Sequence, residues 1–151
     1  EERSQGEAIA RNLREMAGLR VPIIAVVIGE GGSGGALGIG VANIVLMLEY
    51  AVYSVISPES CASILWRSSD EKIVAAKALK NDAHTAKRFG IVDEVIPEAV
   101  GGAHRDFELT AEYVRKALKK ALSELMAKKP ETLVDERIAK YAAIGVTQEA
   151  R

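Results

Sequence analysis

Val21-Pro-Ile-Ile-Ala-Val-Val-Ile-Gly-Glu-Gly-Gly-Ser-Gly-Gly-Ala36 decides how the rest of the chain is read. An apolar, β-branched run ends at Gly29, and five glycines and one serine crowd into the seven residues 29–35. Small, helix-compatible residues come next. The pattern predicts a buried strand, a tight turn and a helix start. Lacking a Cβ, glycine lets backbone N–H groups approach a ligand closely. A helix N-terminus adds unpaired donors and partial positive charge. Together they suit a negative oxygen held by backbone, either a bound phosphate or an oxyanion that develops during a reaction.

With 151 residues the chain has room for one domain with a proper core. Its 48% hydrophobic and 27% charged content is that of an ordinary soluble globular protein. A net charge of -1 gives no electrostatic case for nucleic acid or an acidic membrane surface. Cys61 is the one cysteine, which excludes an internal disulfide and suits a reducing compartment. The longest apolar run, Val21 to Ile28, is far too short to span a bilayer. Glu1-Glu2-Arg3 opens directly into amphipathic sequence, without a signal-peptide pattern. Because no methionine starts it, the chain is expected to be a fragment of a longer protein.

Before the glycine turn, Ser4 and Glu7 fit a capping box. Ile9, Leu13, Met16 and Ala17 follow at helical spacing, with Gly18 as the stop. After the turn, residues 36–42 read as a short helix, 44–48 as a buried strand and 51–56 as a third strand. Ser57 is the expected N-cap, and Pro58 the first residue, of a helix carrying Ile64, Leu65 and Trp66. Ser69 or Asp70 is expected to cap a helix with Ile73, Val74 and Leu79. Asp82 or Thr85 should start a shorter one, ended by Gly90. Residues 91–96 read as a strand closed by Pro97. After a Gly101-Gly102 loop, Asp106 or Thr110 starts a long helix. Leu109, Tyr113, Ala117, Leu118, Leu122, Leu125 and Met126 share one of its faces, and Arg115, Lys116, Lys119 and Lys120 lie mostly on the other. Pro130 separates it from a last helix with Val134, Ile138 and Tyr141. Strands alternating with helices indicate an α/β domain.

Three chemical readings compete for the glycine turn. A phosphate-cradling P-loop needs Gly-Lys-Ser/Thr at its end, whereas Gly35 precedes Ala36 and Leu37. A dinucleotide site fits better. Gly29-Glu30-Gly31-Gly32-Ser33-Gly34 matches G-x-G-x-x-G after a strand, and Glu49 lies 20 residues beyond Gly29. Against it, the helix before Asn43 is short for a Rossmann crossover. The third reading is an oxyanion hole made by the N–H groups of Gly34 and Gly35, at the head of a helix starting near Ala36. A packing turn without chemistry is the alternative, and the local sequence leaves these last two open.

The rest of the chain bears on the choice through a resemblance. The Gly-Gly pair is followed in order by Ala42-Asn43-Ile44-Val45-Leu46, Tyr53-Ser54-Val55-Ile56-Ser57-Pro58-Glu59 and Thr85-Ala86-Lys87-Arg88-Phe89-Gly90-Ile91-Val92-Asp93-Glu94-Val95-Ile96. This succession resembles the crotonase superfamily. More narrowly, residues 28–37, 53–66 and 96–105, the last ending Gly101-Gly102-Ala103-His104-Arg105, resemble the carboxyltransferase α subunits of multi-subunit acetyl-CoA carboxylase.

That resemblance implies a crotonase-like (ClpP/crotonase) ββα spiral, incomplete at the N-terminus and followed by C-terminal helices. Residues 1–105 would form the partial carboxyltransferase core, and 106–151 a helical segment of the same domain. The implied reaction passes a carboxyl group from carboxybiotin, on a biotin carboxyl carrier protein, to acetyl-CoA. Its product is malonyl-CoA, in the first committed step of fatty acid synthesis. The resemblance also implies a β subunit that holds the CoA ester, an α2β2 hetero-oligomer, and no metal in this chain. The location would be the bacterial cytoplasm, or the plastid stroma in a plant. Gly34 and Gly35 would supply the oxyanion hole for the biotin ureido oxygen, with Gly31, Gly32, Ser33 and Ala36 on the biotin side. The alternatives are another biotin-dependent acyl-CoA carboxyltransferase or decarboxylase, the dinucleotide-binding dehydrogenase, and a silent scaffold.

Other residues have plainer readings. His104 is expected to order its loop by a hydrogen bond, since nothing in the reaction needs it as a base. His84 reads as a helix-start residue, Cys61 as a small buried residue and Glu59 as a first-turn acid. Trp66 and Arg67 suit either an interface or, for the tryptophan, the core. Lys116, Lys119, Lys120, Lys128 and Lys129 read as a solvated helix face, with CoA phosphates or an acidic partner as the sharper alternative. Ser33 either caps the helix or bonds biotin.

Overall fold

The computed structural model describes residues 4–145. A leading helix, α1 (Gln5–Gly18), is followed by two strand–strand–helix units. The first is β1 (Ile24–Val27), β2 (Glu30–Gly32) and α2 (Ser33–Gly40); the second is β3 (Ile44–Leu48), β4 (Val52–Ser54) and α3 (Pro58–Trp66). Then come a 3-10 turn at Ser69–Glu71, α4 (Lys72–Leu79), α5 (Ala83–Arg88) and β5 (Glu94–Ile96). A second 3-10 turn at Ala103–Arg105 leads to α6 (Phe107–Met126) and α7 (Pro130–Ala142). Each unit sends its first strand to one sheet, ordered β1-β3-β5, and its second to another, β2-β4. All these pairings are parallel. No described helix is long and apolar enough to cross a membrane.

The middle strand explains the core. Ile44 to Leu48 is apolar without alternation, as a parallel strand covered on both faces requires, and Val45 to Leu48 are all buried. Ile24 pairs with Ile44 on one side, and Leu46 with Glu94 on the other. Ala83, Ala86, Val92, Ile96 and Ala117 join them in one cluster, which brings α5 and α6 onto the sheet.

A single side chain on α7 ties the two ends of the chain together. Arg137 is 1% exposed. Its Nη1 donates to Met16 O (2.9 Å), Ala17 O (3.1 Å) and Leu19 O (2.8 Å), and its Nη2 to Val21 O (2.9 Å) and Asn43 Oδ1 (2.7 Å). Asn43 completes the junction by accepting from Ile23 N at 3.1 Å and donating to Leu133 O at 2.7 Å.

Several caps form as expected. Ser57 Oγ accepts from Ser60 N (3.2 Å), Asp82 Oδ1 from Thr85 N (2.9 Å) and Asp106 Oδ1 from Leu109 N (2.9 Å). Others do not. Ser4 precedes α1 with left-handed backbone (φ 52°) and no side-chain cap bond, so the capping box with Glu7 is not made. Ser68, rather than Ser69 or Asp70, caps the next turn by accepting from Asp70 N at 3.1 Å. The expected strands at 21–28, 51–56 and 91–96 shorten to Ile24–Val27, Val52–Ser54 and Glu94–Ile96. The glycine turn itself contains a strand, β2, and α2 begins at Ser33 instead of Ala36.

On α6 the buried stripe is narrower than the expected face. Thr110, Ala117, Ala121 and Leu125 are buried, while Leu109, Leu122 and Met126 are exposed. On α7 Leu133 and Arg137 are buried and Ile138 is exposed. The two-sheet arrangement is not a doubly wound Rossmann sheet, and Glu49 Oε1 lies 3.7 Å from His84 Nε2. The opening Glu1-Glu2-Arg3 and the last residues of the expected helical segment, 146–151, lie outside the described residues.

Candidate functional site

Strand β2 positions the glycine turn. Gly31 pairs with Tyr53 and Gly32 with Ser54, and Val52 N donates to Gly29 O at 2.9 Å. Gly32 is the extended N-cap residue (φ -138°) of α2 and has no side chain to cap with. Ser33 enters the helix through left-handed backbone (φ 61°), an uncommon conformation outside glycine. The first-turn amides of Ser33, Gly34 and Gly35 have no acceptor within the helix, and no side chain among the described residues caps them. A Cβ at Gly34 or Gly35 would meet nothing within 4 Å. Neither Cα is crowded, and both amides lie at the positive end of the helix dipole.

Three hollows border the turn. Gly31, Gly32 and Ser33 share one of about 430 Å³ with Ser54, Ser57 and Glu59, so the starts of α2 and α3 face one space. Ser33 and Gly34 border another of about 290 Å³ with Tyr53, Val55 and Ile91. Gly35 and Ala36, with Gly31 and Gly32, border a third of about 600 Å³ lying along β1. All six residues singled out from the sequence thus gather at one turn, although Gly34 and Gly35 line different hollows. None of the six has a side chain that titrates near neutral pH. The chemistry available is donation of N–H groups to an anionic oxygen.

Other candidates sort differently. The ring of His104 lies 3.1 Å from the place a Cβ on Gly102 would take. No hydrogen bond of the described residues comes from that ring; Glu98 orders the loop instead. Its Oε1 accepts from Ala103 N at 3.3 Å and its Oε2 from Tyr50 N at 2.8 Å. Gly101 and Gly102 sit at φ +89° and +106°, which side-chain-bearing residues rarely adopt. Cys61 is half-buried near the start of α3, and Trp66, 42% exposed, is not a core residue. In the basic stretch, Lys120 pairs with Glu94 at 2.8 Å and Lys128 with Glu136, as expected of a solvated face. The hydrogen bond from Lys120 to Glu94 holds that ammonium above the ordinary lysine range.

Sequence reasoning passed over Tyr53, whose ring lies against the turn. It faces Gly31 as its register partner, and Cδ2 would stand 2.9 Å from a Cβ there. An isolated tyrosine in a short strand carries no local signal of this. Only the pairing of β2 with β4 creates the contact.

A family model described as acetyl co-enzyme A carboxylase carboxyltransferase-like matches residues 1–145. The acetyl-coenzyme A carboxylase carboxyl transferase subunit alpha of Chlorobium phaeobacteroides is 60% identical over 149 residues, covering 99% of this chain and 44% of the relative. That of Bordetella pertussis is 58% identical over 151 residues, covering 100% of this chain and 47% of the relative. The chain spans about half the length of the curated relatives it matches. Among solved structures, a Pseudomonas malonate decarboxylase hetero-tetramer in complex with coenzyme A matches with a TM-score of 0.66 at 22% identity, over 93% of this chain and 56% of that one. The transcarboxylase 12S core matches with a TM-score of 0.61 at 22% identity, over 95% of this chain and 24% of that one. At such identity these likenesses establish the fold alone, and the fold is crotonase-like.

Proposed function

The chain belongs to the acetyl-CoA carboxylase carboxyltransferase-like family, and we propose that it serves the biotin side of a carboxyl transfer to acetyl-CoA, yielding malonyl-CoA. The observation that carries this reading is the start of α2, where no side chain among the described residues caps the amides of Gly34 and Gly35 and neither glycine has a neighbour within 4 Å of where a Cβ would stand. Carboxybiotin, presented on a carrier protein, supplies the carboxyl group. The turn suits such a group, because a glycine pair leaves room for a flat ring to reach the amides.

On this reading the Gly34 and Gly35 N–H groups donate to the ureido oxygen. They stabilise the negative charge that gathers there as the carboxyl group departs. Both donors are backbone groups fixed by β2 and α2, so they need little reorganisation when charge develops. Gly31, Gly32, Ser33 and Ala36 shape the approach. This chain then contributes electrostatics, and a β subunit holds the CoA ester in an α2β2 assembly. The exposed Ile64 and Leu65 of α3 and Ile73 of α4 support a face that a partner covers.

The test is malonyl-CoA formation from carboxybiotin by the full-length protein, with and without a β subunit of the same source. Turnover is expected only in the mixture. Turnover by the α protein alone, or none with a β subunit that works with another α subunit, would overturn the reading.

A further inference from the structure

Tyr53 packs beside the strand that leads into α2 and against the last residue of that helix. On β4 it is the parallel register partner of Gly31, one strand residue before the N-cap Gly32. A Cβ on Gly31 would stand 2.9 Å from Tyr53 Cδ2 and 3.4 Å from Cε2. At the far end of the helix, a Cβ on Gly40 would stand 2.8 Å from the Tyr53 hydroxyl, with Cζ at 3.9 Å. One aromatic ring therefore occupies the space that side chains at both positions would need. The carbonyl of Gly40 is also held, accepting from the Tyr141 hydroxyl at 2.7 Å. The helix meets α1 closely as well, since a Cβ on Gly38 would lie 3.4 Å from Ile9 Cγ2.

An eight-residue helix with four glycines, Ser33-Gly-Gly-Ala-Leu-Gly-Ile-Gly40, has little intrinsic rigidity. Its direction must come from what packs on it. We infer that Tyr53 is a positioning residue, a buttress that sets the axis of α2 and thereby aims the Gly34 and Gly35 amides. This rests on the oxyanion reading of those amides. Tyr53 acts through the backbone and makes no claim on the reacting atoms. Burial, and then the neighbouring Tyr141, push its phenol above the ordinary tyrosine range, so the ring stays neutral beneath the helix.

The contacts make a test that separates ring from hydroxyl. In the full-length protein assembled with its β subunit, Tyr53→Leu should lower kcat tenfold or more, because small misplacements of catalytic groups have large effects. KM should stay within twofold, and the assembly should elute unchanged. Tyr53→Phe keeps the ring and should lower kcat less than threefold. Gly40→Ala should also lower kcat, and adding Tyr53→Phe should restore it, since the 2.8 Å clash is with the hydroxyl and the next ring atom is at 3.9 Å. Gly31→Ala should not be restored by Tyr53→Phe, because its clash is with ring carbons.

A Tyr53→Leu enzyme with wild-type kcat would overturn the proposal. So would loss confined to assembly or KM, or equal rescue of Gly31→Ala and Gly40→Ala by Tyr53→Phe. Failure of the underlying oxyanion reading is visible separately: a Gly35→Pro enzyme, lacking the amide hydrogen, would then turn over normally whatever Tyr53 does.

Discussion

Helix α1 ends in carbonyls that a buried arginine fills, whereas helix α2 begins in amides that no side chain among the described residues caps. Both ends face the same physics, since every helix end leaves four backbone groups without partners inside the helix. At α1 the carbonyls face the buried guanidinium of Arg137, and a buried charged donor left without acceptors is costly. Arg137 meets this by donating to Met16, Ala17 and Leu19 together, with Val21 and Asn43 beyond them. At α2 the unpaired groups border open hollows, where water or a ligand can satisfy them. A sealed end braces the fold. An open end keeps its field available for an incoming anion.

The sharpest way to break the contrast is to remove a donor from the open end. Proline is tolerated in the first turn of a helix but has no N–H. Gly35→Pro should lower kcat about 10²–10³-fold, on the order of 3–4 kcal/mol of barrier, as expected for losing one oxyanion donor. Gly35→Ala keeps the amide and finds free space for its Cβ, so its loss should stay under about tenfold. Steady-state kinetics on the assembled enzyme compare the two, and equal losses would argue that bulk rather than the N–H group matters.

Opening the sealed end should act on stability instead. Arg137→Met removes five charge-assisted donations and should destabilise the fold by about 3 kcal/mol or more. A lowered urea midpoint would show it, and kcat per folded molecule should remain within twofold. An unchanged midpoint would deny Arg137 its bracing role.

Asp82 lies between these extremes, a helix start closed by an exposed charged cap. Hydrogen bonds from the Thr85 amide and hydroxyl hold its carboxyl below the ordinary aspartate range. A lowered folded-state pKa gives stability that is present above the unfolded pKa and lost as pH falls through the folded one. Asp82→Ala should therefore cost about 1 kcal/mol at neutral pH, and the gap to wild type should close in acid, below the ordinary aspartate range. A gap independent of pH would remove the charged cap from the account.

Much of this organisation is local and was legible as such. Ser57, Asp82 and Asp106 are caps because an oxygen one or two bonds from Cβ reaches an amide three residues on. The apolar run at Ile44 to Leu48 announces a buried strand, and the glycine-rich stretch announces backbone close to a helix start. Those signals, with the order of motifs around them, sufficed for the fold class and for where the turn lies. Other features depend on partners far along the chain. Glu30–Gly32 has no apolar period and becomes a strand only because Val52–Ser54 lies beside it. On α6 Ala117, Ala121 and Leu125 are buried and Tyr113 and Leu118 pack partly on the core, while Leu109, Leu122 and Met126 stay exposed, so the buried stripe is narrower than the face that periodicity counts. Arg137 reads as one more surface charge until the fold brings it to carbonyls up to 121 residues away. Tyr53 is an ordinary strand residue until two glycines make room for its ring. The sequence by itself determined the helices and the apolar strands, though not β2, since those follow from neighbours within a few residues. Only the tertiary structure decided which helix end is sealed, which stays open and what holds the open one in place, since burial and clash exist only between segments that folding brings together.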